Sequence, residues 1–305
     1  MKIAIMGTGG LGGYIGERLA NAGREVVFIA RGKHLKAIQK HGLRVESPLG
    51  NFKIKSANAT YDPEDIGVVD LILFCVKTYD ALDAVKLMKP MIGPNTTILP
   101  VLNAVDHIDL LTDLCGSTHV LGGVAVLVSN ICEPGVIKHL ALNSLVFGEI
   151  SGGVSPRSKQ LQKILAVDGI HVEVVSNIMV QMWTKFASIC GLGIFTVMRG
   201  DKEKIFGYES TRSMIHQAII EVVQVAQAKG IPLSASIADN VLSTISNNTP
   251  PTYKPSSLVD LERGNRLEIE ALNGALSRYG KEMGISTPIN DFIYACLKPF
   301  AGGSK

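Results

Sequence analysis

The chain has 305 residues, of which 46% are hydrophobic and 19% charged, with 31 glycines and a mean hydropathy of +0.25. That length implies two domains, and the apolar content excludes disorder for the bulk of the chain because it can offset the entropy of ordering. Thirty basic residues against 27 acidic ones leave a scattered +3, which does not point to nucleic acid, and no apolar run reaches the roughly 18 uninterrupted residues of a membrane span.

The opening MKIAIMGTGG reads as a first strand, Lys2 to Met6, and not as a signal peptide, since glycines follow directly and no small-residue cleavage site does. A glycine-rich turn, a helix carrying Ile15, Leu19 and Ala22, and a second strand at Glu25 to Ala30 complete a βαβ unit. Further apolar runs at Val69 to Val76 and Thr97 to Leu102 flank a helix at Ala81 to Met91. Continuous apolar strands alternating with helices imply a parallel sheet with right-handed crossovers. Val120 to Asn130, Gly135 to Leu140 and Leu145 to Glu149 read as shorter strands around a turn at Glu133-Pro134-Gly135, forming an antiparallel extension, and His171 to Val175 as a last short strand.

After that strand the composition becomes helical: Val180 to Val197, Glu209 to Lys229, Ser234 to Ser246, Ser257 to Glu282 with Gly284 just beyond, and Asn290 to Leu297. The expected fold is therefore α/β, a Rossmann-type doubly wound parallel sheet over residues 1–175, followed by an all-helical substrate-binding domain over 176–305. Five cysteines form an odd, widely spaced set without a CxxC pair, which reads as free thiols in a reducing cytoplasm. The seven histidines are dispersed, so no metal site is expected, and no G-x-S-x-G marks a serine nucleophile. A soluble, cytoplasmic protein is expected, with no nucleic-acid or membrane partner; a homodimer is compatible with the apolar helical half.

Gly7, Gly9 and Gly12 form a G-x-G-x-x-G set directly between a strand and a helix. In that setting the first glycine makes the tight turn, the second admits a pyrophosphate to the backbone, and the third lets helix and strand pack closely, while the helix N-terminus supplies N–H groups for the phosphates. The segment Gly7, Thr8, Gly9, Gly10, Leu11 and Gly12 is thus the expected cofactor-binding turn. At the end of the second strand, where an acid would bind the ribose of NAD, the chain has Ala30 and Arg31, with Lys33 two residues later. A guanidinium can grip a 2′-phosphate with two hydrogen bonds, so NADP (NADPH) is the expected cofactor.

RGKHLKAIQKHGLRV after the second strand, CVKTYD around Lys77, VLNAV around Asn103, EPGVIKH, VFGEI, WTKF around Lys185, and SSLVDLERGNRLEIEALNG followed by GISTPIN together resemble the ketopantoate reductase (2-dehydropantoate 2-reductase) family over nearly the whole chain. The resemblance implies NADPH-dependent reduction of ketopantoate to D-pantoate, on the route to pantothenate and coenzyme A. It further implies Lys185 and Glu268 as catalytic residues, Asn103 and Ser256 as substrate contacts, and Lys77, Asn103 and Glu268 as residues near the cofactor. The chemistry of the residues agrees without selecting them. Hydride addition builds negative charge on a ketone oxygen, which an ammonium can stabilise and protonate. Lys185 is a lone cation in an apolar helical window, where a lysine either snorkels to water or serves a function. Glu268 and Glu270 are not distinguished by pattern.

Asparagines usual in the family four and eight positions after the lysine are Ile189 and Gly193 here, a further one is Tyr253, and Ala104 stands where glycine is common. Positions one helical turn apart share a face, so the pocket is expected to be less polar, with Ser188 and Thr196 as candidate substitutes. This keeps two alternatives: a reductase of the same fold acting on a different carbonyl or imine, and an NADPH-sensing module without turnover.

Overall fold

A computed structural model describes residues 1–304. The chain divides into two compact units, Met1–Leu102 with His107–Ile178, and Asn103–Asp106 with the chain from Met179 onward.

The first unit contains β1 (Lys2–Met6), α1 (Gly10–Asn21), β2 (Glu25–Ile29), α2 (Gly32–His41), β3 (Leu43–Glu46), β4 (Phe52–Ile54), β5 (Ala59–Thr60), β6 (Val69–Phe74), α3 (Ala81–Leu87), β7 (Ile92–Pro100), α4 (His107–Cys115), β8 (Leu121–Glu133), β9 (Val136–Glu149), α5 (Pro156–Leu165) and β10 (His171–Val174). The main sheet is wholly parallel in the order β5-β2-β1-β6-β7. Its central strands are covered on both faces, with Ile3, Ile5, Leu71 and Leu73 fully buried on one and Ala4, Ile72 and Phe74 on the other, and this is why they read as unbroken apolar runs.

A second sheet orders β10-β9-β3-β4. The 14-residue β9 pairs antiparallel with β8 along one edge and parallel with β3 and β10 in succession along the other. The three short strands expected between Val120 and Glu149 are thus two long ones. They are joined at Pro134-Gly135, where Gly135 takes φ +81°. A register shift near Val126–Val128 and Leu142 at φ +60° break the ladder locally; those irregularities, and the polar Asn143-Ser144, are what the sequence pattern presents as strand ends. Helix α1 is buried on two sides. Its Gly12 lies against Gly7 and Ile5, and its Gly10 against Ser129 and Asn130 of β8.

The second unit is helical: α6 (Ile178–Met198), α7 (Lys202–Phe206), α8 (Glu209–Ala228), α9 (Ile237–Asn248), α10 (Ser256–Glu262), α11 (Asn273–Met283) and α12 (Pro288–Leu297). The single helix expected over 257–282 is two. Gly264, at φ +66°, ends α10 in the left-handed conformation. Leu267 and Ile269 are then both buried, at 5% and 4% exposure; residues two apart cannot share one helix face, so this stretch is a packed turn. Helix α6 is long and apolar enough to cross a bilayer, with an 18-residue window of mean hydropathy 1.4, but 61% of that window is buried inside the protein. Its apolarity is that of a core helix.

Candidate functional site

The parallel register brings the expected cofactor residues to one edge. Met6 pairs with Ile29 and with Phe74, so Gly7, Arg31 and Lys77 all follow neighbouring strands at their carboxyl ends, where open α/β sheets bind ligands. Gly7 takes φ +100°, and a Cβ there would stand 2.9 Å from Val76 N; one on Gly12 would stand 2.2 Å from Gly7 O. Both positions therefore demand glycine. A Cβ on Gly9 would meet nothing within 4 Å, and no side chain caps the N-terminus of α1. This open, uncapped helix end fits the diphosphate of a dinucleotide. Thr8 differs from its neighbours. Its N–H and its hydroxyl both donate to Ile29 O at 2.9 Å, so it pins the turn to β2 and has no donor left to offer. Leu11 is half-buried in the first turn of α1.

Three side-chain groups near this turn escaped the sequence pattern. A Cβ on Gly10 would lie 2.5 Å from Ser129 O and 2.8 Å from Asn130 Cα. Ser129 Oγ and Asn130 Oδ1 are buried without a hydrogen-bond partner, and His34 Nε2 is buried with only the Thr8 backbone beside it. His34 Nδ1 accepts from Gly135 N–H at 3.0 Å, and burial holds the imidazole below its usual pKa, favouring the neutral ring. Such unsatisfied buried groups at a ligand-shaped turn are further grounds for a polar occupant.

No acid stands at the end of β2. Arg31 is the N-terminal flanking residue of α2, and its Nη2 donates to Asp80 Oδ2 at 2.5 Å. The arginine side chain is 72% exposed and that of Asp80 22%. Lys77 is exposed just beyond β6. Sequence pattern gave no signal for Asp80, which is one of many acids before a helix.

The other expected residues belong to the second unit. Lys185 sits half-buried in α6 between the buried Met182, Phe186 and Cys190. Burial pushes its ammonium down to about 8, with the Glu268 carboxylate acting in the opposite direction. The pair is electrostatically coupled, and at neutral pH the ammonium remains largely charged while being a much better proton donor than an ordinary lysine. The two glutamates that pattern could not separate are separated here. Glu270 accepts from Tyr294 Oη at 2.9 Å and pairs with Lys298. Glu268, held by buried Leu267 and Ile269 on either side, is the one that acts on Lys185. Ser256 is exposed at the start of α10 and Asn103 is half-buried. The segment Asn103–Asp106 groups with the helical unit, and Arg278 Nη2 lies 3.8 Å from Asp106 Oδ2.

The departures from the family pattern resolve differently from one another. Ile189 is half-buried on the Lys185 side of α6. Gly193 is buried, and a Cβ there would stand 2.7 Å from Ile293 Cγ2 and 3.4 Å from Asn273 Oδ1; it is a packing position with no room for an asparagine. Thr196 is fully buried and shares a 2.7 Å hydrogen bond with Ser257 Oγ, tying α6 to α10 and leaving it no role as a substitute amide. Tyr253 packs edge-on against Phe195 at 6.3 Å, and burial raises its phenol pKa. Among the described residues no group of three or more His, Cys, Asp or Glu could hold a metal ion.

Comparison with known proteins matches residues 3–152 to the sequence model described as "Ketopantoate reductase PanE/ApbA" and residues 177–301 to its "C terminal" counterpart. An "Uncharacterized oxidoreductase YkpB" of Bacillus subtilis is 29% identical, covering 98% of this chain and 99% of the relative. A "2-dehydropantoate 2-reductase" of Nostoc sp. is 27% identical over 100% of this chain and 96% of its own. The crystal structure of a PanE/ApbA family ketopantoate reductase from Ralstonia eutropha superposes with a TM-score of 0.90 at 31% identity, covering 99% of this chain and 98% of that one.

Proposed function

From the premise that this chain belongs to the ketopantoate reductase family, an oxidoreductase family acting on CH–OH donors with NADPH as its cofactor, we propose that it reduces ketopantoate to D-pantoate, with Lys185 as the general acid. The observation that carries the reading is the half-buried Lys185 ammonium, lowered to about 8 and coupled to Glu268. Bound NADPH supplies the hydride for the ketone carbon. The first-unit residues Gly7, Gly9, Gly10, Leu11, Gly12, Arg31 and Lys77 would hold the dinucleotide, with Thr8 fixing the turn. Lys185 hydrogen-bonds the ketone oxygen, stabilises the negative charge that develops there, and delivers the proton that completes the alcohol. Glu268 holds the ammonium in its charged form, and Asn103 and Ser256 position the substrate and the reactive end of the cofactor.

The reaction serves pantothenate formation in the cytoplasm, a location that suits five free cysteines. Incubation with NADPH and ketopantoate tests the reading: NADPH is consumed and D-pantoate accumulates, whereas no turnover on any 2-oxo acid refutes it. Ile189, half-buried one turn from Lys185 on α6, favours a second reading, in which the same chemistry acts on a 2-oxo acid with a less polar side chain. A panel of 2-oxo acids, ranked by kcat/KM, separates the two.

A further inference from the structure

The end of β2 provides a cation for a 2′-phosphate, yet that cation already has a carboxylate partner. Sheet order runs β2-β1-β6. Arg31 follows β2 and Asp80 lies six residues beyond the end of β6, so their 2.5 Å ion pair spans the end of β1, the strand that carries Gly7. Asp80 is held there by its own backbone, its N–H donating to Lys77 O at 2.9 Å. It also precedes the first residue of α3, a position where the helix dipole favours a carboxylate.

We propose that Asp80 sets cofactor specificity: it competes with the ribose 2′-phosphate for Arg31 and so holds the preference for NADPH over NADH below what Arg31 alone would give. A 2′-phosphate carries about −1.5 to −2 charges at neutral pH. To reach Arg31 it must draw the guanidinium away from Asp80 or share it at close range with a like charge. NADH brings a neutral 2′-hydroxyl instead, which can donate to a carboxylate as in NAD-type sites. Asp80 thereby supplies, from the β6 side, the acid that is missing at the end of β2. This inference rests on the nucleotide site proposed above and concerns only its selectivity.

Equilibrium binding tests it without turnover. Calorimetric titration of the full chain with NADPH, NADH, 2′,5′-ADP and 5′-AMP is compared for the wild type, Asp80→Asn, Arg31→Ala and the double variant, with thermal melts checking that each is folded. Asp80→Asn is expected to tighten NADPH and 2′,5′-ADP by roughly three- to tenfold, the span of one exposed charge interaction, while NADH and 5′-AMP stay level or weaken. The gain shrinks as salt rises and disappears in the Arg31→Ala background. A ratio of NADPH to NADH affinity unchanged within about twofold, or a gain that persists without Arg31, overturns the proposal. Wild-type protein that binds neither 2′,5′-ADP nor NADPH overturns the nucleotide site itself. If Asp80→Asn is unfolded, the same titrations on Asp80→Ser, which also removes the charge, decide by the same criteria.

Discussion

Replacing Glu268 by Gln should move the alkaline limb of the reaction's pH profile toward acid. Two effects act on Lys185, burial lowering its pKa from 10.5 and the Glu268 carboxylate raising it, with about 8 as the result. In the Gln variant only the lowering remains. A unit charge at contact distance is worth about 1 kcal/mol in water and about 4 kcal/mol at the effective dielectric of a protein surface. At about 1.4 kcal/mol per unit, that span corresponds to a downward shift of about one to three units. A general acid works in its protonated form, so kcat/KM for NADPH-dependent reduction is flat below the pKa and falls tenfold per pH unit above it. The assay is that profile for both proteins, with the wild-type limb near pH 8 and the variant limb displaced to lower pH. A limb that stays in place while the plateau drops would mean that Glu268 touches only substrate or cofactor, and the coupling described here would be wrong.

Gly193→Ala places a methyl 2.7 Å from Ile293 Cγ2 and should cost about 1–3 kcal/mol by overpacking, read from denaturant midpoints; an unchanged midpoint contradicts the tight packing of α6. Glu17 is fully buried with neither carboxylate oxygen hydrogen-bonded, its nearest charge being Arg18 Nε at 3.9 Å, and burial raises it from 4.5 to about 7. Its native form thus holds a proton that the unfolded chain releases above about pH 4.5, so stability is greatest below that pH and declines as pH rises to about 7, by at most about 3 kcal/mol. Glu17→Gln should flatten that decline in chemical denaturation at pH 5 and pH 8, and a slope equal to the wild type's refutes it. Gly12→Ala, driven against Gly7 O, should abolish calorimetric NADPH binding; retained affinity would show that the glycine turn is not the diphosphate site.

The parallel sheet and the glycine turn are legible in the sequence because both depend on local constraints. Doubly buried strands must be apolar throughout, and Gly7 and Gly12 sit where any side chain collides. The second sheet is only partly legible: β3 and β4 are short, and they gain their place only once β3 pairs with β9 and β4 with β3. The break between α10 and α11 was hidden because Leu267 and Ile269 resemble helical core residues until their joint burial is seen. Lys185 and Glu268 could be singled out by resemblance, but their coupling depends on α6 meeting the turn between α10 and α11, far apart in sequence. Asp80 lies 49 residues from Arg31, and the β-strand register alone brings it there. The same holds for Gly193, whose absent side chain reads as a lost substrate contact until Ile293 is found in its place.

In the proposed reaction, Lys185 supplies the proton for an NADPH-dependent reduction of a 2-oxo acid. The most direct test of that role is the single-turnover rate of NADPH oxidation by ketopantoate in the wild type and in Lys185→Ala, with NADPH affinity measured on both. Lys185→Ala is expected to lose about 10²–10⁴-fold in the chemical step with nucleotide affinity retained; a rate within a few-fold of the wild type would contradict a proton-donating role for Lys185.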